Sequence, residues 1–365
     1  MSTRVPLAGE PDERPLAPRE ELERVAFLLE RAQSATPRVK AFRTAAAVVG
    51  GLADDEVRRL ADEGGLTGLA GIGPRTAEVV TESVRGEVSG YRAALEAQVG
   101  PLVADGHALR AALRGDLHSH TLASDGGSSI ETMARTAAAL GHDYLVVTDH
   151  SPRLTVANGL SPERLLAQLD EIEQVQERLD ADGVPLRVLS GIEVDILDDG
   201  SLDQTDELLA RLDVVVASVH SKLRMDADAM TRRMLRAVQD PHVDVLGHCT
   251  GRLLGGRAGD SPGASRGRGG RPQSEFDAER VFAACAAAGT AVEVNARPER
   301  LDPPTDLLAL AADAGCLFAV DSDAHAPGQL DWQQLGCARV EHAGIDADRV
   351  VDTWDLDRLL AWTRG

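Results

Sequence analysis

The feature that most constrains this chain is a rhythm that begins after about Gly115, in which short apolar runs alternate with amphipathic helical stretches. The runs are DYLVVTDH (143–150), LRVLSGIEVDI (186–196), LDVVVASVH (212–220), VDVLGH (243–248), TAVEVNA (290–296) and CLFAVDSDAH (316–325). Helical patterns at 162–180, 226–239, 275–288 and 305–314 lie between them. Strand followed by helix, repeated, predicts a parallel sheet, and this many units predict a closed barrel rather than an open sheet.

In a parallel barrel every strand C-terminus faces the same rim, so residues far apart in sequence converge there. His150, His220, His248 and the pair Asp323-x-His325 each end an apolar run, and Glu193 lies just past VLSG. The stretch GDLHSHTLASDGGSS (115–129) adds His118, His120 and Asp125 from the end of the first strand. Six of the ten histidines and three carboxylates are thus expected at one mouth. Imidazole with carboxylate and no thiolate suits zinc or manganese, with iron also compatible, and nine such groups exceed what one ion can use. Two or three divalent ions are implied. Such a cluster acidifies a coordinated water and neutralises charge building on a phosphoryl group, so phosphoester hydrolysis is its natural use.

Composition narrows the rest. The apolar runs fall far short of the roughly 20 residues that span a bilayer, and the opening MSTRVPLAGEPDERPL has no signal-peptide core, so the expectation is a soluble, cytoplasmic protein with no membrane partner. The four cysteines stand without CxxC spacing, which indicates buried free thiols rather than a disulfide framework or a cysteine zinc site. A net charge of -21 argues against a generic polyanion-binding surface. That charge is uneven: residues 1–115 carry a net -2 and residues 116–365 a net -19.

The organisation expected is a disordered leader at 1–19, a helical domain at 20–100 and a barrel at 112–365 with a flexible insertion at 255–273. Inside the helical part, LTGLAGIGPRTAEVV (66–80) runs an apolar turn into Gly71-Ile72-Gly73 and then Pro74, which suits the first turn of a helix. This resembles a helix-hairpin-helix motif, whose backbone N–H groups at Gly71, Ile72 and Gly73 would grip a DNA phosphate.

The motifs DLHSHTLASDG, TDHS, GIEVDI, SVHSK, GHCTGR, EVNARPERLD and DSDAH, in this order, closely resemble the PHP (polymerase and histidinol phosphatase) family across residues 112–363. The resemblance implies a distorted (β/α)7 TIM-like barrel and a trinuclear zinc or manganese site. Its nine ligands would be His118, His120, Asp125, His150, Glu193, His220, His248, Asp323 and His325. Glu193 would bridge two ions. His118, His120 and Asp323 would complete one site, His220 and His248 another, and Asp125, His150 and His325 the third, with Glu193, Asp323 and His325 at the catalytic centre. GHCTGRLLG and VNARPERLD look like the PHP domain of bacterial family X DNA polymerases, and TPRVKAFRTAAAVVGGL with the hairpin looks like their small DNA-binding domain. Only about fifteen residues separate the helical domain containing the hairpin from Gly115, where a polymerase palm needs well over a hundred, so polymerase activity is excluded. Arg252, Arg297 and Lys222 are candidates to hold substrate phosphate. The function expected is a metal-dependent phosphoesterase acting on nucleic-acid ends, as a 3'-5' exonuclease or 3'-phosphatase; the alternative is a small-molecule phosphatase of the histidinol-phosphatase type.

Overall fold

The computed structural model describes residues 12–255 and 270–364. The chain divides into two compact units, the first ending at Pro101 and the second beginning at Leu102.

The first unit is helical: α1 (Pro18–Arg31), α2 (Thr36–Gly50), α3 (Asp54–Asp62), α4 (Pro74–Val84) and α5 (Gly90–Glu96). Apolar residues three and four apart put Leu22, Val25 and Leu29 of α1, Phe42, Ala45 and Val49 of α2 and Val79 and Val80 of α4 into one core. The core also holds charge. Arg92 is fully buried with its Nε 2.9 Å from Glu21 Oε2, and Arg24 forks onto Glu96 at 2.8 and 3.0 Å. A buried guanidinium must find acceptors, and two of them come from the segment expected as a disordered leader. Residues 1–11 lie outside the described residues, but Arg92 donates to the carbonyls of Asp12 and Arg14, and Ser83 Oγ donates to Leu16 O at 2.7 Å. In the hairpin Gly71 has φ +93°, and a Cβ there would sit 2.8 Å from Thr44 Cγ2, so only glycine fits. The Ile72 N–H donates to Leu69 O at 3.1 Å and the Gly73 N–H to Thr76 Oγ1 at 3.0 Å, so two of the three hairpin amides have partners within the fold.

In the second unit seven strands, β1 (Gly115–Asp116), β2 (Tyr144–Val147), β3 (Arg187–Asp195), β4 (Val214–Ser218), β5 (Val245–Leu246), β6 (Ala291–Glu293) and β7 (Phe318–Ala319), pair in sequence order and all parallel. The helices accompanying them are α6 (His107–Ala112), α7 (Ile130–Ala139), α8 (Pro162–Ala181), α9 (Asp206–Leu209), α10 (Ala227–Val238), α11 (Ala278–Ala288), α12 (Thr305–Asp313), α13 (Gln333–His342) and α14 (Leu356–Thr363). Alternation within β4 shows the layering. Val215 and Ala217 join Met230 and Met234 of α10 and Phe282 of α11, whereas Val214 and Val216 join Tyr144, Val351 and Trp354. All four cysteines are free and buried, and no helix among the described residues is long and apolar enough to cross a membrane.

Closure differs from an ideal barrel. β1 and β7 share no ladder; a single bridge joins Ser119 to Ala324, and buried carboxylates stitch the rest of the seam. Asp321 Oδ1 accepts the Leu117 N–H at 2.8 Å, Asp116 accepts from Ser322, and Asp352 accepts the Val320 N–H at 2.6 Å. Where no ladder forms, side-chain oxygens take the orphan amides instead. Of the expected insertion, residues 256–269 lie outside the described residues, and flanking them Leu253 pairs with Arg271.

Candidate metal centre

The strands are shorter than the apolar runs that announced them, because the last residues of each run leave the ladder and turn their side chains into the mouth. Glu193, the exception, stays within β3 and is 1% exposed. Its carboxylate is the hub. Around Oε2 stand His150 Nδ1 at 2.8 Å, His118 Nε2 at 3.3 Å and His120 Nε2 at 3.6 Å; around Oε1 stand His248 Nε2 at 2.8 Å and His220 Nε2 at 3.2 Å. Asp323 Oδ1 lies 3.4 Å from His120 Nε2, and Asp125 Oδ1 lies 3.5 Å from His150 Nε2 and 3.4 Å from His325 Nε2. All nine residues anticipated at the rim therefore meet in one place. Three groups bring ligand atoms within 4.8 Å of one another: His120, Asp125, His150 and His325; His118, His120 and Glu193; His150, Glu193 and His220. His120 and His150 each stand in two of them.

The donor set fits cations. His118 Nε2, both ring nitrogens of His120 and of His220, and Glu193 Oε1 are buried without a hydrogen bond, although they lie within a few ångströms of opposite polarity. Buried polar atoms are seldom left so, and imidazole lone pairs beside carboxylate oxygens are what a divalent ion would satisfy.

Electrostatics run the same way. Burial by itself would lower the His118 imidazole, but the charges of Glu193 and Glu293 outweigh it and hold the group well above the ordinary histidine value. The same contest raises His220 to about 9, chiefly through Glu193 and Asp195. Burial, together with the charges of His325 and His150, drives His120 well below its ordinary value. Burial opposes ionisation of Glu193, yet the surrounding imidazoles hold it well below the usual carboxylate range.

Three more carboxylates surround the cluster. Glu293 of β6 lies 2.5 Å from His118 Nδ1, accepts the His248 N–H and takes a 3.2 Å bond from Asn295 Nδ2. Asp195 accepts the His220 N–H at 3.1 Å, with His220 Nδ1 at 3.5 Å. Asp149 accepts from Thr121 N and Oγ1 at 2.8 and 2.5 Å, from Ser124 Oγ and from Gln168 Nε2 at 2.6 Å, which fixes the loop bearing Asp125. Gly126 closes that loop; a Cβ there would fall 2.7 Å from the His120 carbonyl. Sequence reasoning missed Glu293, though a lone carboxylate inside TAVEVNA was a visible signal. Partners of this kind orient a ligating imidazole and set its tautomer.

The expected phosphate contacts separate. Arg297 reaches the cluster, its Nη1 3.3 Å from Asp323 Oδ1 and 3.0 Å from His325 Nδ1, with Nε on Glu299 at 2.8 Å. Arg252 turns its guanidinium onto the carbonyls of Arg300 and Leu301. Lys222 is 64% exposed and pairs with Asp198. A residue not anticipated, Arg300, stands with Nε 3.1 Å from Asp323 Oδ2.

Comparison with known proteins matches residues 116–297 to the PHP domain. The chain is 36% identical over 252 residues to the DNA polymerase/3'-5' exonuclease PolX of Bacillus subtilis, covering 69% of this chain and 41% of that protein. It therefore spans about two-fifths of that relative's length. It is 27% identical over 249 residues to a probable phosphatase of Thermoanaerobacter sp., covering 65% of this chain and 89% of the relative. Among solved structures, the histidinol phosphate phosphatase of Lactococcus lactis, complexed with zinc, L-histidinol and phosphate, aligns with a TM-score of 0.43 and 18% identity over 64% of this chain and 94% of that one.

Proposed function

Residues 116–297 are a PHP domain, and from that premise we propose that the chain is a metal-dependent phosphoester hydrolase acting on nucleic-acid ends, as a 3'-5' exonuclease or 3'-phosphatase. The observation that carries the reading is the convergence of five imidazoles on the two oxygens of Glu193. Divalent ions bound there, two or three of zinc or manganese, supply Lewis acidity for attack on phosphorus. In the net reaction a water oxygen bonds to phosphorus, the bond to the leaving oxygen breaks, and that oxygen departs with a proton.

The chain's own residues set the stage for this. Glu193, Asp323 and His325 face the reacting centre; Glu293 and Asp195 hold His118 and His220 in orientation; Arg297 sits beside Asp323 and His325, where negative charge on a substrate would gather. Support for nucleic-acid ends comes from the helical first unit with its Gly71–Gly73 hairpin and from the likeness to PolX. A second reading, a small-molecule phosphatase of the histidinol-phosphatase type, is favoured by the net charge of -21 and by the probable phosphatase that this chain covers over 89% of its length.

Zinc- and manganese-loaded protein assayed side by side on 3'-labelled DNA, 3'-phosphorylated DNA and histidinol phosphate separates the readings. Turnover of either DNA is expected to exceed that of histidinol phosphate; the reverse ranking selects the second reading. Glu193→Ala is expected to lose bound metal as well as activity. Unchanged metal stoichiometry by elemental analysis would contradict a bridging role.

A further inference from the structure

We propose that Leu122 and Val156 form an apolar clamp for the nucleobase adjoining the scissile phosphate, and so select a base-bearing strand end; the assignment rests on the nucleic-acid reading above. A single exposed leucine or valine is ordinary on a protein surface. Here the placement is not. Among the described residues three large apolar side chains are exposed, Leu122 at 62%, Val156 at 93% and Leu254 at 42%. Leu122 comes two residues after His120, and Val156 and Leu254 each come six residues after a histidine of the cluster, His150 and His248. All three therefore stand on loops that leave the strand ends at the mouth of the metal centre.

The loop bearing Val156 is braced so as to hold it out. Leu160 N–H donates to His150 O at 2.7 Å and closes the neck, and the tip is a single 3-10 turn, Thr155–Ala157. Ala157 and Leu160 are buried, which leaves Val156 as the apolar side chain of the tip that water touches. Asn158, at φ +56°, donates Nδ2 to Ala123 O at 3.1 Å, and Arg164 Nη1 donates to Asn158 O and Gly159 O at 2.8 and 3.0 Å while its Nη2 donates to Ala123 O. These bonds tie the Val156 loop to the loop that runs from Leu122 to Asp125. Asp125, with 35% side-chain exposure against 18% for His325 and 11% for His220, is the most open of the nine candidate ligands, so the cluster is reached beside it. Leu122 and Val156 thus stand on the two loops at that opening. A phosphoryl group at the ions leaves the adjoining base one sugar away, and every base offers an uncharged face. The net -19 over residues 116–365 repels further phosphates, so the grip beyond the reacting group has to be uncharged. Aliphatic surface covered by a base face leaves water, which a sugar-phosphate backbone would not achieve.

The test uses full-length zinc-loaded protein and oligonucleotides, 3'-labelled or 3'-phosphorylated, whose terminal residue carries adenine or is a base-less tetrahydrofuran. The wild type is expected to favour the adenine terminus in kcat/KM by about tenfold, mainly through KM. The double variant Leu122→Ser/Val156→Ser is expected to cut that preference by about fivefold or more, with zinc content and Tm unchanged because both side chains are exposed in the fold, and Val156→Leu to keep more of it than Val156→Ser. No preference in the wild type, or a preference in the double variant within twofold of wild type, overturns the assignment. So does a wild-type dimer in sedimentation velocity that the double variant dissolves, which would give this surface to a second copy of the chain. A wild-type protein that hydrolyses histidinol phosphate but neither DNA overturns the nucleic-acid reading, and this one with it.

Discussion

Glu193 and Glu293 are chemically identical, both buried and both within the barrel strands, yet they stand at different depths of the same site. Glu193 offers its oxygens to five imidazole nitrogens, four of them without a hydrogen bond, whereas Glu293 accepts from donors already fixed by the fold. An amide at position 293 would turn an NH2 toward one of those donors. Glu293→Gln is therefore expected to lower zinc affinity by about 10- to 100-fold, measured by competition with a chelator, while the far-ultraviolet circular dichroism stays that of the wild type. Asp323 adds a conformational element, since it takes φ +50°, a left-handed setting that a non-glycine residue adopts only where its surroundings hold it. The bond from Asn295 and the ion pairs to Arg297 and Arg300 supply that hold.

The element scale brings in strand ends and the hairpin. Asp244 immediately precedes β5, and one of its oxygens accepts the Val215 N–H at 2.8 Å. Burial pushes this carboxyl up to about 8. Unfolded, it ionises near 3.8, so between those values the folded state holds a proton that the unfolded state has released, and stability falls as pH rises toward 8. Asp244→Asn keeps the acceptor and removes the ionisation, so its gain in Tm over wild type is expected to be larger at pH 9 than at pH 5, by scanning calorimetry; an equal gain at both would contradict the raised value of this half-buried carboxyl. In the hairpin, a Cβ on Gly73 meets nothing within 4 Å, and its φ of -95° suits any residue. Gly73→Val should thus fold normally, while the added side chain stands where a phosphate would approach. KM for an oligonucleotide is expected to rise several-fold with p-nitrophenyl phosphate turnover unchanged; equal effects on both substrates would argue that the hairpin is only a turn.

For the whole molecule, charge and topology decide. Residues 116–365 carry a net -19, so a long polyanion is repelled over most of the second unit and can be held only locally. Proteins making 6–10 phosphate contacts lose about 10³- to 10⁵-fold in affinity between 50 and 200 mM salt. Here the loss for a single-stranded oligonucleotide is expected to stay below about tenfold, as a fluorescence-anisotropy titration at the two salt concentrations would report.

What the sequence determined by itself follows from local chemistry. Strands covered on both faces must be apolar, so the strand and helix rhythm and the nine polar residues ending or interrupting those runs were legible in the order of residues. Tertiary structure alone decided what depends on contacts between distant segments. It pinned Asp12 and Arg14 to a buried arginine some 80 positions away, closed the seam between β1 and β7 with carboxylates rather than a ladder, enlisted Glu293 behind His118 and turned Arg252 away from the mouth while leaving Arg300 beside it. A pattern of residue types records which groups are polar. Where each one points depends on which acceptors the completed fold places within about 3 Å of it, and that distance exists only once the strands have met.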